Sequence, residues 1–224
     1  SLNIALEKSD EILFVYIHDI ANDKNSSWGF KKMGKHRKLF LSQGLNELNE
    51  NLLKYAHSLN IYIDDSVNIL KKLVIKYEID TIFCESIEAF DEKKQIELLG
   101  DNKIDVITHF QSSLFIKNQL PFDINDLPDV FTDFRKALEQ QNIKPYKPES
   151  LSKKIFNIVS IKDSNLVALD NKFNEYSKSS FPITDKNFMG GEKSGISYLK
   201  KYFQSGKPGI YKKTRNELMG VDFS

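Results

Sequence analysis

Apolar residues fall into short continuous runs separated by longer segments where they return at helical spacing. Ile12-Leu13-Phe14-Val15-Tyr16-Ile17 is one such run, β-branched and aromatic, ending in His18-Asp19. Its length and content predict a strand buried on both faces, as in a parallel sheet. Before it, Ile4, Ala5 and Leu6 mark the tail of an amphipathic helix over Leu2–Leu6. Ala21 to Lys32 is polar and loop-like, with Trp28 expected to anchor it. From Gly34 onward Leu41, Leu45, Leu48, Leu52, Ala56 and Leu59 recur on one helical face. Ile61-Tyr62-Ile63 reads as a strand, and Asp64 to Ser66 offers a cap for a second helix carrying Val67, Leu70, Leu73, Val74 and Tyr77. A strand over Thr81–Cys84, a helix over Glu88–Leu99 ended by Gly100, and a strand over Ile104–Ile107 follow.

Strand and helix in strict alternation predict an α/β fold, a Rossmann-like doubly wound parallel sheet flanked by helices. Such sheets bind ligands beyond the carboxyl ends of their strands. Here those ends are His18-Asp19, Asp64-Asp65, Glu85 and Thr108-His109. Neither a G-x-G-x-x-G string nor a Walker-type loop is present, which argues against a dinucleotide or ATP site of the usual kind in this region.

Beyond the alternation, Leu127-Pro128-Asp129 opens a helix. Pro128 biases Leu127 away from helix, Asp129 is placed to cap, and Val130, Phe131 and Phe134 form an apolar stripe expected to pin the helix to a core. Residues 142–187 are rich in Lys, Ser, Asn and Pro, with one strand-like run from Ile155 to Ile161, and read as an interdomain linker. Gly190-Gly191-Glu192 then opens a helix with Ile196, Leu199, Lys200 and Phe203, and a further turn or helix runs from Pro208 through Tyr211 to Leu218. The organisation read from the sequence is therefore an α/β domain over 1–141, a linker over 142–187, and the start of a helical domain over 188–224. The chain stops before that last domain could form a core of its own, so it reads as a fragment.

Composition narrows the function classes. The 224 residues are 40% hydrophobic, with sixteen Phe and nine Tyr to fill a core. The 32 basic and 31 acidic residues nearly cancel, so net charge alone does not announce a nucleic-acid binder. Cys84 is the only cysteine, which excludes an internal disulfide framework and suits a reducing compartment. At the end of an apolar run it reads as a small core residue. His18, His36, His57 and His109 lack metal-ligand spacing, so no metal is assigned, and His57 is expected to be exposed. No apolar run approaches the length of about 18 residues that a membrane span needs, and no signal peptide is seen. A soluble, cytoplasmic protein is expected.

Several strings are more particular than these patterns. Gly34-x-x-Arg37-x-x-Phe40-Leu41 heads the long helix. Ser112-Ser113-Leu114-Phe115, Leu120-Pro121-Phe122 and Leu127 to Lys136 follow in order. Phe188-Met189-Gly190-Gly191-Glu192 with Leu199 and Tyr202 comes next, then Tyr211-Lys212-Lys213-Thr214-Arg215-Asn216 and Met219-Gly220-Val221-Asp222-Phe223-Ser224. In this order they resemble the photolyase/cryptochrome family, and within it the DASH-type cryptochromes. Nothing before Leu2 supplies the Trp-Phe-Arg-like first strand of that family, and nothing after Ser224 its Thr-Lys-Phe-Ser-like continuation. The first, central strand of the sheet and most of the helical domain are expected to lie outside this chain.

The resemblance implies a flavoprotein that holds FAD mostly in the missing helical domain. It also implies an antenna pterin, such as methenyltetrahydrofolate, beside the α/β domain. Glu88 best matches the family's antenna-binding carboxylate, with Glu85 second. An ionised carboxylate can accept two N–H bonds from an aminopyrimidine edge. A solvated Glu near a helix N-terminus is the plain alternative. Tyr211 is implied as a flavin contact, with a buried helix aromatic as the alternative. Ser224 is placed beside the flavin phosphates or, at a chain end, left unordered. No catalytic residue falls within the chain. By resemblance the parent protein is a blue-light-dependent deoxyribodipyrimidine photo-lyase, a monomer repairing cyclobutane pyrimidine dimers in single-stranded DNA by electron transfer from FAD, and this chain alone is expected to be inactive. A photoreceptor of the same fold without repair activity is the rival. A stand-alone small-molecule-binding α/β domain, like the nucleotide-binding stress proteins, is a more distant third.

Overall fold

The computed structural model of the protein describes residues 1–100, 104–163 and 189–214. In chain order its elements are α1 (Leu2–Lys8), β1 (Glu11–Ile12), β2 (Val15–Asp19), α2 (Lys35–Leu53), β3 (Asn60–Asp64), α3 (Ser66–Tyr77), β4 (Thr81–Glu85), α4 (Phe90–Gly100), β5 (Asp105–His109), α5 (Phe131–Gln140), β6 (Val159–Ser160), α6 (Glu192–Gln204) and α7 (Lys207–Thr214). Strands and helices alternate as the hydrophobic pattern requires, and the fold is α/β and Rossmann-like. The chain divides into two compact units, one of Ser1–Ile12 with Asp64–Ile161, the other of Leu13–Ile63 with Lys162–Ser224.

The first unit is built on β4 and β5, which pair in parallel from Thr81↔Asp105 to Glu85↔His109. The α4 crossover between them satisfies the need of parallel neighbours for a long connection. Helix α3 starts where Asp65 Oδ1 accepts the Asn68 N–H at 2.8 Å, and ends on Glu78 in the left-handed region. Its apolar stripe buries Val67 and Leu73, and α4 buries Leu99. In the same unit β1 pairs in parallel with β6, and Ile161 N–H extends the ladder to Ile12 O at 2.9 Å. Ile155 and Ile158 are buried beside that ladder. Asn3 ties α1 down, donating to Ser150 O and accepting from Ser152 N–H, each at 2.9 Å.

The second unit centres on α2. Leu45 and Leu52 form a buried cluster with Leu59 and Ile61, against which Phe14, Tyr16, Leu41 and Ile63 pack. β2 pairs with β3. A buried polar chain fastens residue 163 to β3: Tyr62 Oη donates to Asp163 Oδ2 at 2.7 Å, and Asp163 N–H donates to Asn60 Oδ1 at 2.9 Å. Asn60 Nδ2 in turn donates to Phe14 O at 3.0 Å. The Gly190-Gly191 pair exists for close approach. A Cβ at Gly190 would run into the Phe40 carbonyl, and one at Gly191 into the Glu47 carboxylate. Gly190 N–H donates to Gln43 Oε1 at 2.7 Å, and Lys193 N–H to Glu47 Oε1 at 3.1 Å, so α2 side chains cap the start of α6.

Several expectations are corrected. The 12–17 run is two short strands, because Leu13-Phe14 breaks between the β1–β6 and β2–β3 pairs. β2 is mostly half-buried, with only His18 buried. Helix α2 ends at Leu53, so Ala56, with φ 63°, and Leu59 belong to the turn after it, and Leu48 is exposed. Trp28 anchors nothing: it is 82% exposed. His57 is buried rather than exposed, its ring centroid 5.5 Å from that of Phe14. Asp129 caps nothing, since Val130 holds the N-cap position of α5 without a side-chain bond. Phe131 is 74% exposed, and the helix is held instead by buried Leu138 and by Phe134, whose ring meets Phe122 edge-on at 5.7 Å. Leu218 and the Arg215–Ser224 string lie outside the described residues.

Candidate functional site

The carboxyl ends of β4 and β5 open into a cavity of about 320 Å³ lined by Ser86, Glu88, Phe110, Ile116, Lys117 and Asn118. The parallel register brings Glu85 opposite His109, so the loops leaving both strands start side by side. Ser86 N–H donates to His109 O at 2.9 Å and carries the pairing one residue further. The far wall is a 3-10 turn, Lys117–Gln119. Gln119 holds it by accepting the Ile116 N–H on its side chain at 3.1 Å and donating to Lys144 O at 2.9 Å. This is where an open α/β sheet places ligands.

Glu88 lies in the loop before α4, whose first residue is Phe90 rather than Glu88. Its carboxylate meets Lys93 Nζ at 2.5 Å, with the two side chains 60% and 52% exposed. The hydrogen bond and charge of Lys93 hold Glu88 below the ordinary carboxylate range, with Lys117 adding to the effect. Glu88 therefore presents an ionised acceptor at neutral pH. Glu85 ends β4 and accepts the Ser112 hydroxyl, so this carboxylate is already partly engaged. Tyr211 belongs to the other unit, where it is exposed on α7; the buried alternative does not hold. Ser224 lies outside the described residues.

The donor set suits a pterin. Glu88 supplies acceptors for an aminopyrimidine edge, Asn118 and Ser86 supply mixed donors and acceptors, and Phe110 and Ile116 supply an apolar wall. At the ring end of β5, His109 Nε2 is buried without a hydrogen-bond partner among the described residues. The volume is near the lower end of small-molecule sites, roughly 300–1,000 Å³, and suits a pterin head rather than the whole of FAD. Among the described residues no cluster of His, Cys, Asp and Glu could hold a metal. Cys84 is half-buried on β4, and burial pushes its thiol up, which disfavours a nucleophilic thiolate.

Ser86, Phe110, Ile116, Lys117 and Asn118 carry no periodic signal in the sequence. The available clue was the position of Glu85 and His109 at strand ends. Side chains that reach the cavity from the 110–118 loop depend on the 3-10 turn, which the sequence does not announce.

The pattern of the DNA photolyase family matches residues 1–151, and the chain belongs to that family. Its relatives and structural neighbours place it with the DASH-type cryptochromes. The cryptochrome DASH of Synechocystis is 30% identical over 237 residues, covering 100% of this chain and 46% of that protein. The cryptochrome DASH of Idiomarina loihiensis is 27% identical over 231 residues, covering 98% and 47%. The crystal structure of the Synechocystis cryptochrome superposes with a TM-score of 0.73 at 28% identity, over 94% of this chain and 44% of that one. The photolyase of Sulfolobus tokodaii, whose structure contains two FAD molecules, shares the fold at a TM-score of 0.62 and 18% identity, over 88% and 41%. The chain thus spans under half the length of these relatives. An Arabidopsis thaliana relative, 30% identical over 98% of this chain and 40% of that protein, is a chloroplastic and mitochondrial cryptochrome DASH. No helix among the described residues is long and apolar enough to cross a membrane.

Proposed function

We propose that the cavity at the ends of β4 and β5 holds a light-harvesting pterin, a folate such as methenyltetrahydrofolate, for a blue-light-dependent DASH-type enzyme. The observation that carries this is the ionised Glu88 carboxylate on the wall of a cavity that also offers Asn118, Ser86 and Phe110. Glu88 accepts the ring N–H pair, and Phe110 and Ile116 exclude water from the ring faces. A folate bound there supplies absorption of near-UV and blue light. In the whole protein the excitation serves FAD, held largely by residues beyond those described here, with Tyr211 and Ser224 at its edge. The protein, a cytoplasmic monomer, then repairs cyclobutane pyrimidine dimers in single-stranded DNA by electron transfer from the flavin. The alternative is a photoreceptor without repair activity, favoured by the cryptochrome names of the relatives.

The test is a titration of the 224-residue chain with methenyltetrahydrofolate, followed by absorbance and fluorescence polarisation. Glu88→Gln replaces one acceptor by a donor and leaves a ring N–H unpaired, so affinity should fall at least about tenfold. Glu85→Gln should change it less. Absence of binding by the parent, or equal affinity of parent and Glu88→Gln, would remove the antenna from this cavity.

A further inference from the structure

From Gln119 through Phe134 the sequence carries Asp123, Asp126, Asp129 and Asp133 and no Lys, Arg or His. Among these acids stand Ile124, Leu127, Val130 and Phe131, all exposed. Scattered apolar side chains in water are ordinary, whereas these fall together and on a firm base. Asp123 Oδ1 fixes the first turn, accepting the Asn125 N–H at 2.9 Å and the Asn125 side-chain amide at 2.8 Å. Leu138 is buried under α5, and the Phe134 ring meets Phe122 edge-on. The Phe131 ring lies over Phe134, with centroids 6.3 Å apart and planes at 24°. Phe131 is the outer ring of a stack rooted in its unit, exposed yet held in place.

The fold uses only part of this negative charge. Asp123 caps its turn, and Asp133 in the first turn of α5 suits the helix dipole. The Asp126 and Asp129 carboxylates have no hydrogen-bond or ion-pair partner among the described residues. Arg135, the next cation along the chain, pairs with Glu139 at 3.5 Å instead. None of these residues lines the cavity beside Glu88. A rigid apolar face edged with like charge selects its occupant by complementarity. Four aspartates set it against a second copy of itself, against nucleic acid and against anionic lipid. They match a protein segment that carries Lys or Arg around apolar anchors of its own. The chain as a whole has a formal net charge of +1, so such a segment is drawn by this face and not by the overall charge.

We propose that residues 123–134 dock a basic, amphipathic segment of a partner protein. Its apolar side chains cover Leu127, Val130 and Phe131, and its Lys or Arg side chains meet Asp126, Asp129 and Asp133. The contact requires no pterin and is independent of the Glu88 reading.

The probe is a fluorescein-labelled peptide of about 14 residues with Leu on one helical face and Lys on the other. Its anisotropy is followed as the 224-residue chain is added at about 50 mM salt. Saturable binding is expected, at least about tenfold tighter than for the same peptide with Glu in place of Lys, and weakening as salt rises. Phe131→Ala removes the outer ring and should weaken binding at least about fivefold with the salt dependence retained. D126N/D129N keeps the shape of the face and should weaken binding about three- to tenfold while flattening the salt dependence. D10N/E97Q removes the same charge from exposed acids elsewhere and should bind as the parent does. Urea melts of the three variants should match the parent, because the altered side chains are exposed. Equal binding of the Lys and Glu peptides would overturn the proposal. So would parent-like affinity of both Phe131→Ala and D126N/D129N, or an equal loss in D10N/E97Q. A dimer of the chain alone, seen by sedimentation and dissolved by Phe131→Ala, would assign the face to a second copy instead.

Discussion

The turns that leave β2 and β4 occupy like positions, each at the carboxyl end of a strand in its own unit, yet they use their ionisable groups in opposite ways. After β2, His18 is 1% exposed, and its Nε2 shares a hydrogen with Asp23 Oδ2 at 3.0 Å. Asp23 also pairs with Lys38, and Asp19 Oδ1 accepts the Ala21 N–H at 2.8 Å. Every group named there faces another group of the same turn or of the helix behind it. After β4, Glu88 stands in solvent with Lys93 and faces a cavity. A strand end is therefore not a site by position alone. Where its polar groups satisfy one another it stabilises the fold, and where they are left toward open space it can bind.

The largest effect should separate the two turns by stability. His18→Ala removes a buried ring and leaves Asp23 without one of its partners, which should cost roughly 2–4 kcal/mol. Glu88→Ala should leave the urea midpoint where it was, since exposed ion pairs contribute little. Urea melts of both variants measure the difference. Equal costs would show that the two turns are not the contrast described.

Acid titration sharpens the same contrast. Burial works to raise the Asp23 pKa, but hydrogen bonds from Lys38 and His18, with their charges, carry it below the ordinary carboxylate value. A carboxyl with a lower pKa folded than unfolded adds stability that is fully present above its unfolded value, about 4, and is lost as pH falls through the folded value. Asp23→Asn should lower stability at neutral pH and flatten the decline between about pH 5 and pH 3. Glu88 is lowered by Lys93 in the same direction, but it is exposed and its pair is screened by solvent, so Glu88→Gln should leave the acid limb where it was. Parallel acid limbs in parent and Asp23→Asn would show that Asp23 gains nothing from its partners.

How far the sequence spoke depended on the length scale of the signal. The α/β alternation, the places of β3, β4 and α3 to within a residue, and a cap within Asp64 to Ser66 were legible because each rests on local periodicity and capping chemistry. Helix α6 was legible from its Gly-Gly start, although the reason for two glycines, the approach of Phe40 O and Glu47, is a contact across about 150 residues of chain. The failures share one cause. Trp28 and Phe131 were assigned burial, and His57 exposure, from hydrophobicity and helical position, whereas burial depends on which other segment arrives. At the cavity, Glu88 was singled out through a resemblance and through the usual placement of ligands beyond strand ends. Its neighbours Lys117 and Asn118 were not, because a Gln119 side chain, not a sequence period, sets their turn.

The smallest effect tests whether the β4 turn is open to a ligand or already occupied by its own lysine. Lys93 Nζ lies 2.5 Å from Glu88 Oε2 and 52% of its side chain is exposed, so the pair is held by a solvent-screened, charge-assisted hydrogen bond. A pterin ring donating to both carboxylate oxygens competes with that contact, and an exposed pair of this kind holds its partners only weakly. Lys93→Gln should therefore leave the urea midpoint unchanged and tighten methenyltetrahydrofolate binding by about two- to fivefold, with the gain shrinking as salt screens the parent's pair. If affinity falls instead, Lys93 orients the carboxylate and the cavity is preformed around the ion pair. In that case the β4 turn would resemble the β2 turn after all, a set of charges arranged for one another before any ligand arrives.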